Sequence, residues 1–226
     1  MPILPGPPPV DITLRRSARS TRFSLRVSQL DGRVTLSMPL RARERDAMEF
    51  ARDHESWLRA ALARRPTQST LAIGGTVMVE GRRLTLASTP GRNTSIVGDS
   101  LLLPGDPAQA AARTAAYLKT LARDRLAAAS DHYATLIDRK VTRLTLRDTR
   151  SRWGSCAHDG ALMYSWRLIM APPPVLTYVA AHEVAHLVEM NHSDAFWAVV
   201  TRLYPGWQTQ RKWLHTHGRD LHAARF

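Results

Sequence analysis

The fold of this chain depends on one stretch, residues 181–192, which reads AHEVAHLVEMNH. It contains the pattern H-E-x-x-H, and another histidine follows after five further residues. On a helix, His182 and His186 lie one turn apart on the same face, so both imidazoles can reach one metal ion. Glu183 lies about a quarter of a turn round, where a carboxylate contacts a metal-activated water rather than the metal. Neutral imidazole suits Zn²⁺, and three protein ligands with one open position are typical of catalytic zinc.

His192 can join this site only if the helix ends before it. On an unbroken helix it would lie about 240° round from His186 and roughly 9 Å further along the axis. The sequence therefore predicts that the helix stops near Met190-Asn191, since Asn tolerates the left-handed conformation that ends helices. Ser193-Asp194 offers the N-cap of a new helix. Glu189, one turn past His186, is the alternative third ligand.

The chain is strongly basic, with a formal net charge of +13 over 226 residues. A basic surface favours an anionic partner, which is nucleic acid or an acidic membrane surface. Nearly all of the positive charge is arginine, because lysine occurs only at Lys119, Lys140 and Lys212. Such a bias is also typical of skewed codon usage, so nucleic-acid contact through the Arg-rich N-terminal half is a hypothesis at this point.

Cysteine content and hydropathy restrict the class of protein. Cys156 is the single cysteine, so a disulfide-stapled secreted fold is excluded. The first nine residues lack a basic segment and are too rich in proline for a signal helix. No apolar run approaches the length of a membrane span. We therefore expect a cytoplasmic protein with no membrane partner.

The first 104 residues predict a proline-rich flexible tail (1–10) and a β-rich domain (11–104). Asp31-Gly32 separates two alternating runs, which is a strong hairpin signal. Helical spacing follows over residues 40–65 and places Trp57 in the core. Short β-rich runs between glycines then predict a small antiparallel sheet with tight turns. No internal repeat is evident.

Residues 105–226 predict a domain built around the metal helix. An alanine-rich helix is expected from Asp106 to about Ile137, followed by strands over 141–148 and 162–169. Pro172-Pro173-Pro174 precedes the metal helix and suits a first helical turn. A short basic helix is expected over Trp207 to His217. The whole chain is thus expected to be α+β, with an antiparallel β-rich N-terminal half that carries a helix.

Several segments of the second half resemble the YgjP-like metallopeptidase family. These segments are Ser151-Arg152-Trp153-Gly154-Ser155-Cys156, Ser165-Trp166-Arg167-Leu168, Ala171-Pro172-Pro173, His182 to His186, Asn191-His192-Ser193 with Phe196-Trp197, and Arg211-Lys212-Trp213-Leu214. The resemblance implies a zincin-like helical metallopeptidase domain with a small sheet, related to WLM-type proteases. It implies metal-ligand roles for His182, His186 and His192 and the general-base role for Glu183.

The expected function is a zinc-dependent metallopeptidase that cleaves peptide bonds of a protein or peptide substrate with a metal-activated water. Two alternatives stay open: a DNA-associated protease that acts on DNA–protein crosslinks, and a non-catalytic zinc-binding scaffold. Cys156 is either a fourth ligand that masks the site or a small buried group. The strand over 162–169 is expected to pair with an extended substrate. Candidates for the donor that stabilises the oxyanion are Arg152, His158, Tyr164 and Arg167.

Overall fold

A computed structural model of the protein describes residues 2–28, 32–63 and 69–226. Within these residues the chain forms six α-helices and short strands arranged in small sheets. The predicted α+β class with a β-rich N-terminal half is confirmed. The sheets are not antiparallel throughout, because each of the three larger ones contains one parallel pair of strands. None of the described helices has both the length and the hydropathy of a membrane-spanning helix.

Contacts divide the chain into two compact units, Met1–Thr67 and Gln68–Phe226. The domain boundary predicted at residue 104 therefore falls inside the second unit. The sheet before that boundary shares its apolar core with the helices that follow, through side chains such as Leu86, Leu101 and Leu118. The predicted assignment of functions to domains stays a prediction.

The first unit is a four-stranded sheet with two helices. Leu4, in the segment predicted to be a flexible tail, is fully buried and pairs with Val10. Apolar residues alternate along the strands, so a single face of the sheet is buried against the helices. Asp31 of the predicted hairpin turn lies outside the described residues. The elements are β1 (Ile3–Leu4), β2 (Val10–Ser17), β3 (Ser24–Val27), β4 (Val34–Pro39), α1 (Glu44–Asp53) and α2 (Glu55–Ala63), with strand order β1-β2-β4-β3.

The helical part of this unit differs from the single helix predicted over 40–65. It consists of α1 and α2, which meet at His54, and the predicted end at Arg65 lies outside the described residues. The prediction that Trp57 is a core residue is wrong, because its side chain is 51% exposed. The new start at Glu55 resets the helical phase, and the neighbouring Leu58 faces the sheet and is fully buried.

The second unit begins with another four-stranded sheet, followed by the longest helix of the chain. Asp106 caps the turn before this helix, since its Oδ1 accepts a hydrogen bond from the Ala108 backbone N–H at 2.9 Å. The elements are β5 (Ser69–Thr70), β6 (Thr76–Val79), β7 (Arg82–Thr89), β8 (Ser95–Val97), β9 (Ser100–Pro104) and α3 (Ala110–Leu136), with sheet order β6-β7-β9-β8.

The two four-stranded sheets have the same topology, although the sequence shows no evident repeat. In each, a long strand (β2 or β7) pairs in parallel with the last strand (β4 or β9), which also pairs antiparallel with the edge strand (β3 or β8). Both sheets lead into helices. Aligning the two registers matches identical residues at Thr13 and Thr85, Leu14 and Leu86, Ser24 and Ser95, Leu36 and Leu101, and Pro39 and Pro104.

The rest of the second unit is a three-stranded sheet with three helices. Its strands are in the order β10-β12-β11, so β12 lies in the centre. The predicted strand over 162–169 ends at Ser165, after which residues 166–170 form a 3-10 turn. The elements are β10 (Arg143–Arg147), β11 (Gly154–Cys156), β12 (Ala161–Ser165), α4 (Pro173–Ala185), α5 (Asp194–Leu203), α6 (Trp207–His217) and β13 (Ala224–Arg225), which pairs with β5.

A buried arginine ties the C-terminal segment to this sheet. The Arg167 guanidinium donates to both carboxylate oxygens of Asp148, at 2.6 and 3.1 Å. It also donates to the carbonyl oxygens of Leu221 and Ala224, each at 3.0 Å. Four acceptors satisfy a planar cation that is 8% exposed, which indicates a structural role for Arg167.

Candidate metal centre

Helix α4 carries the first two histidines. It begins after Pro172 and ends at Ala185, so that His186 is its C-cap residue. The helix therefore stops about one turn earlier than the Met190-Asn191 end predicted from the sequence. The backbone N–H groups of Val188 and Glu189 still bond to the carbonyl of Ala185, which makes the following residues a compact turn. This early end lets the chain reverse within six residues.

The turn brings His192 back towards the helix. The side chain of Asn191 accepts a hydrogen bond from the Ser193 backbone N–H at 3.0 Å, and Asn191 is not in the left-handed conformation. The reversal thus uses a side-chain turn rather than the backbone geometry predicted for Asn191. Ser193 is the N-cap of α5, as predicted, and its Oγ accepts from the Phe196 N–H at 3.4 Å.

The three imidazoles meet in one place. His182, His186 and His192 each offer a ring nitrogen, and these atoms lie within 4.8 Å of one another. The Nε2 atoms of His182 and His192 are 3.1 Å apart. Two ligands of a tetrahedral Zn²⁺ at about 2.0–2.1 Å are about 3.3–3.4 Å from each other, so this spacing fits a shared ion. Neutral nitrogen donors in such an arrangement are suited to zinc.

The protonation states of the rings also fit metal binding. Burial, and then the neighbouring His186 and His192, lower the pKa of His182 to about 3. Burial also lowers the pKa of His186. His182 and His186 are therefore neutral at pH 7, which leaves nitrogen lone pairs available. The Nδ1–H of His186 donates to the backbone carbonyl of Glu189 at 2.9 Å, and this contact leaves Nε2 available to bind a metal ion.

Glu189, the alternative ligand, contributes its backbone rather than its carboxylate. Its carbonyl orients His186, and its side chain is not part of the group of side chains able to hold an ion. Two aromatic rings of α5 hold the imidazoles in place. Phe196 is fully buried and stacks on His186 with ring centroids 4.4 Å apart, and Trp197 stacks on His192 at 5.8 Å. Packing of this kind fixes ring orientation before an ion binds.

Glu183 lies between α4 and the edge strand β11. Its side chain is 5% exposed, and an ideal Cβ added at Gly154 would lie 2.5 Å from both its Cγ and its Oε1. Only glycine therefore leaves room for this carboxylate. Burial raises the pKa of Glu183 to about 8, and the positive charge of Arg152 opposes that rise. No local sequence pattern predicts this role of Gly154, although the composition of the loop Trp153-Gly154-Ser155-Cys156 is unusual.

The other residues singled out from the sequence have different surroundings. The hydroxyl groups of Tyr164 and Ser130 are 3.0 Å apart, and Tyr164 is fully buried, so it is a packing residue. Arg167 is committed to Asp148 and the C-terminal carbonyls. Burial, and then the Glu183 charge, raise the pKa of the Cys156 thiol to about 11, and Cys156 is not in the group of three histidines. Arg152 and His158 are exposed.

Comparisons with known proteins gave one family match and one matching solved structure. The family model for the YgjP-like metallopeptidase domain matches residues 21–217. A solved structure that matches is the metallopeptidase zymogen of Pyrococcus abyssi abylysin, at 18% identity and a TM-score of 0.37. The match covers 40% of this chain and 92% of that one. No protein of curated function matches this chain.

The family match includes β3 and β4 of the first sheet, the edge strand β11 and all three histidines of the candidate site. It covers well over half of the sequence, and its description names the same class of chemistry as the clustered imidazoles and the buried carboxylate. The chain belongs to the YgjP-like metallopeptidase family.

Proposed function

We propose that this protein is a zinc-dependent peptidase in which His182, His186 and His192 hold the metal and Glu183 is the general base. The approach of three neutral imidazole nitrogens to within 4.8 Å of one another is the observation that carries the proposal. Zn²⁺, when bound, polarises a carbonyl group and lowers the pKa of water towards neutrality. All other steps fall to side chains of the chain itself.

Glu183 is placed and tuned for proton transfer. Its carboxylate is held by the close packing of Gly154, and burial raises its pKa to about 8. A nearby cation favours the ionised form, so both protonation states lie within reach of neutral pH. Glu183 would accept a proton from the attacking water and then donate it to the leaving amine.

The substrate is proposed to be a peptide or protein that binds along β11. Strand β12, which the sequence suggested for this role, is paired on both sides and has no edge to offer. Strand β11 pairs only with β12 among the described strands, and it carries the glycine that touches Glu183. An extended peptide added to this edge would run beside the carboxylate.

The test compares two identical substitutions at neighbouring glutamates. Glu183→Gln should abolish hydrolysis of a quenched fluorescent peptide library while the zinc content per chain stays unchanged. Glu189→Gln is the matched control, since that residue acts through its backbone carbonyl, and it should keep both hydrolysis and zinc. Hydrolysis that survives in Glu183→Gln would refute the general-base role. Wild-type protein that binds zinc but cleaves no peptide would support the scaffold alternative.

A protease that acts on DNA–protein crosslinks would also need a surface for nucleic acid. The metal site itself gives no sign of such a substrate. The feature that bears on nucleic acid is the distribution of arginine in the first unit, whereas the proposed metal ligands belong to the second unit.

A further inference from the structure

The sheet of the first unit and its turns carry an excess of positive charge that the helices of this unit lack. Residues 1–43 contain eight arginines and two acidic residues, whereas residues 44–63 contain three arginines and five acidic residues. The sheet and its turns are therefore strongly basic, whereas the helices α1 and α2 carry a net negative charge. A composition bias acting on the whole chain would not separate the charge in this way.

The sheet has one apolar face and one polar face. Ile12, Leu36 and Met38 point towards α1 and α2 and are fully buried. The alternate residues point to the opposite face. On β2, β4 and β3 these outward residues are Asp11, Thr13, Arg15, Ser17, Ser24, Arg26, Thr35, Ser37 and Pro39.

Two arginines of the outward face are exposed and uncommitted. Arg15 lies beside Ser37, and Arg26 lies beside Thr35. Within the part of the chain that the structure describes, neither guanidinium takes part in a hydrogen bond or an ion pair. Arg16, by contrast, donates to the carbonyls of Leu40 and Ala42 and supports the turn after β4. Arg15 and Arg26 thus have no structural task in this unit.

The second sheet of the chain shows what the same topology requires at these positions. In the aligned register, Ala87 corresponds to Arg15 and Val97 corresponds to Arg26. Leu102 corresponds to Ser37 in the same way. The second sheet forms without arginine at either position, so this topology does not require the two arginines for folding. Their presence on the first sheet is therefore attributed to a function of its surface.

We propose that the outward face of the first sheet binds the phosphodiester backbone of nucleic acid through Arg15, Arg26 and the hydroxyl groups between them. The two arginines are two strands apart and offset by two residues along the strands, which separates them by about 11–12 Å, so they can contact different phosphates. Ser37 and Thr35 on the intervening strand add hydrogen-bond donors for phosphate oxygens.

The composition of the face argues for nucleic acid over the other anionic partners. Apart from Ile3 on the edge strand, it presents no large apolar side chain that could insert into a lipid surface. Its described residues include no aromatic ring on which bases could stack, which predicts contact that is independent of sequence. A rigid array of donors on strands suits regularly spaced phosphates better than a flexible acidic peptide. This binding does not depend on the proposed peptidase activity.

The experiment measures the affinity of the full chain for a fluorescein-labelled 20-base-pair duplex of arbitrary sequence by anisotropy over a series of salt concentrations. The double variant Arg15→Ala, Arg26→Val takes its residues from the second sheet, which supports correct folding. Two lost phosphate contacts should reduce the slope of log affinity against log salt by about 1.8, and weaken binding roughly 10- to 100-fold near 0.1 M salt. Peptide hydrolysis should not change.

The matched control is the double variant Arg45→Ala, Arg52→Ala, which removes the same charge from exposed positions of α1. It should retain the wild-type salt slope to within about 0.5. Equal losses in both double variants would overturn the proposal, because net charge alone would then explain binding. It would also fail if the wild type bound vesicles of anionic phospholipid, or an acidic peptide, but not the duplex.

Discussion

Gly154 and Glu183 are in contact across the boundary between β11 and α4, with no space for a side chain at the glycine. The ideal Cβ position at Gly154 is 2.5 Å from the Oε1 of Glu183. The edge strand therefore fixes where the carboxylate can lie, and a change in one element must displace the other.

The substitution Gly154→Ala should impair catalysis without loss of metal. The added methyl group must push Glu183 away, and a displacement of about 1 Å at a reacting group lowers kcat/KM roughly 100-fold. Steady-state cleavage of a fluorogenic peptide and zinc content per chain are the two measurements. Gly91→Ala is the control, since its Cβ would meet only Thr89 at an ordinary 3.4 Å. Wild-type activity in Gly154→Ala would contradict the positioning role.

Loss of the third imidazole should weaken metal binding. His192→Ala removes a proposed ligand whose Nε2 lies 3.1 Å from that of His182, and we expect zinc affinity to fall by at least about 100-fold. Competition with a chromogenic chelator measures this affinity. His158→Ala removes an exposed histidine near β11 and should leave it unchanged. Unaltered affinity in His192→Ala would exclude that ring as a ligand.

The stability of the metal-free protein should depend on pH through Glu183. Its folded-state pKa of about 8 lies above its ordinary value of 4.5, so its contribution to stability is greatest below pH 4.5 and is lost as pH rises towards 8. The metal-free Glu183→Gln variant does not lose this stability as pH rises, because glutamine does not ionise. It should be more stable than the wild type at pH 8 by about 1–3 kcal/mol, with a smaller difference at pH 5.

Urea unfolding of both metal-free proteins at the two pH values measures this difference. Because the two chains differ at one residue, the titration of other groups cancels. His182, with a pKa lowered to about 3, destabilises both proteins equally as pH falls below 6.5. The raised pKa of Glu183 would be contradicted if the difference in the free energy of unfolding between the two proteins did not increase from pH 5 to pH 8.

Adjacent residues of α2 should differ sharply in their effect on stability. Leu58 is fully buried, so Leu58→Ala should lower the free energy of unfolding of the first unit by about 2–5 kcal/mol. Trp57 is 51% exposed, so Trp57→Ala should change it by less than about 1 kcal/mol. Thermal unfolding followed by circular dichroism distinguishes the two. A larger loss for Trp57→Ala would mean that its ring is packed.

The metal site was accessible to sequence reasoning because its chemistry is local. The spacing of His182 and His186 follows from helical geometry, and the cap at Ser193 follows from side-chain preference. Gly154 could not be found in the same way, since its contact with Glu183 joins segments about thirty residues apart. The wrong assignment of Trp57 has a similar origin: the break at His54 resets a helical phase that the hydrophobic spacing does not reveal.

The repeated sheet has a consequence for how this protein can be altered. The two sheets share inward leucines at Leu14 and Leu86 and at Leu36 and Leu101. On the outward face Arg15, Arg26 and Ser37 differ from their counterparts Ala87, Val97 and Leu102. Outward residues that differ can therefore be exchanged between the two sheets, because the same topology accepts either set. A chain with Arg15→Ala, Arg26→Val and Ser37→Leu would show which properties of the first unit depend on its own outward residues.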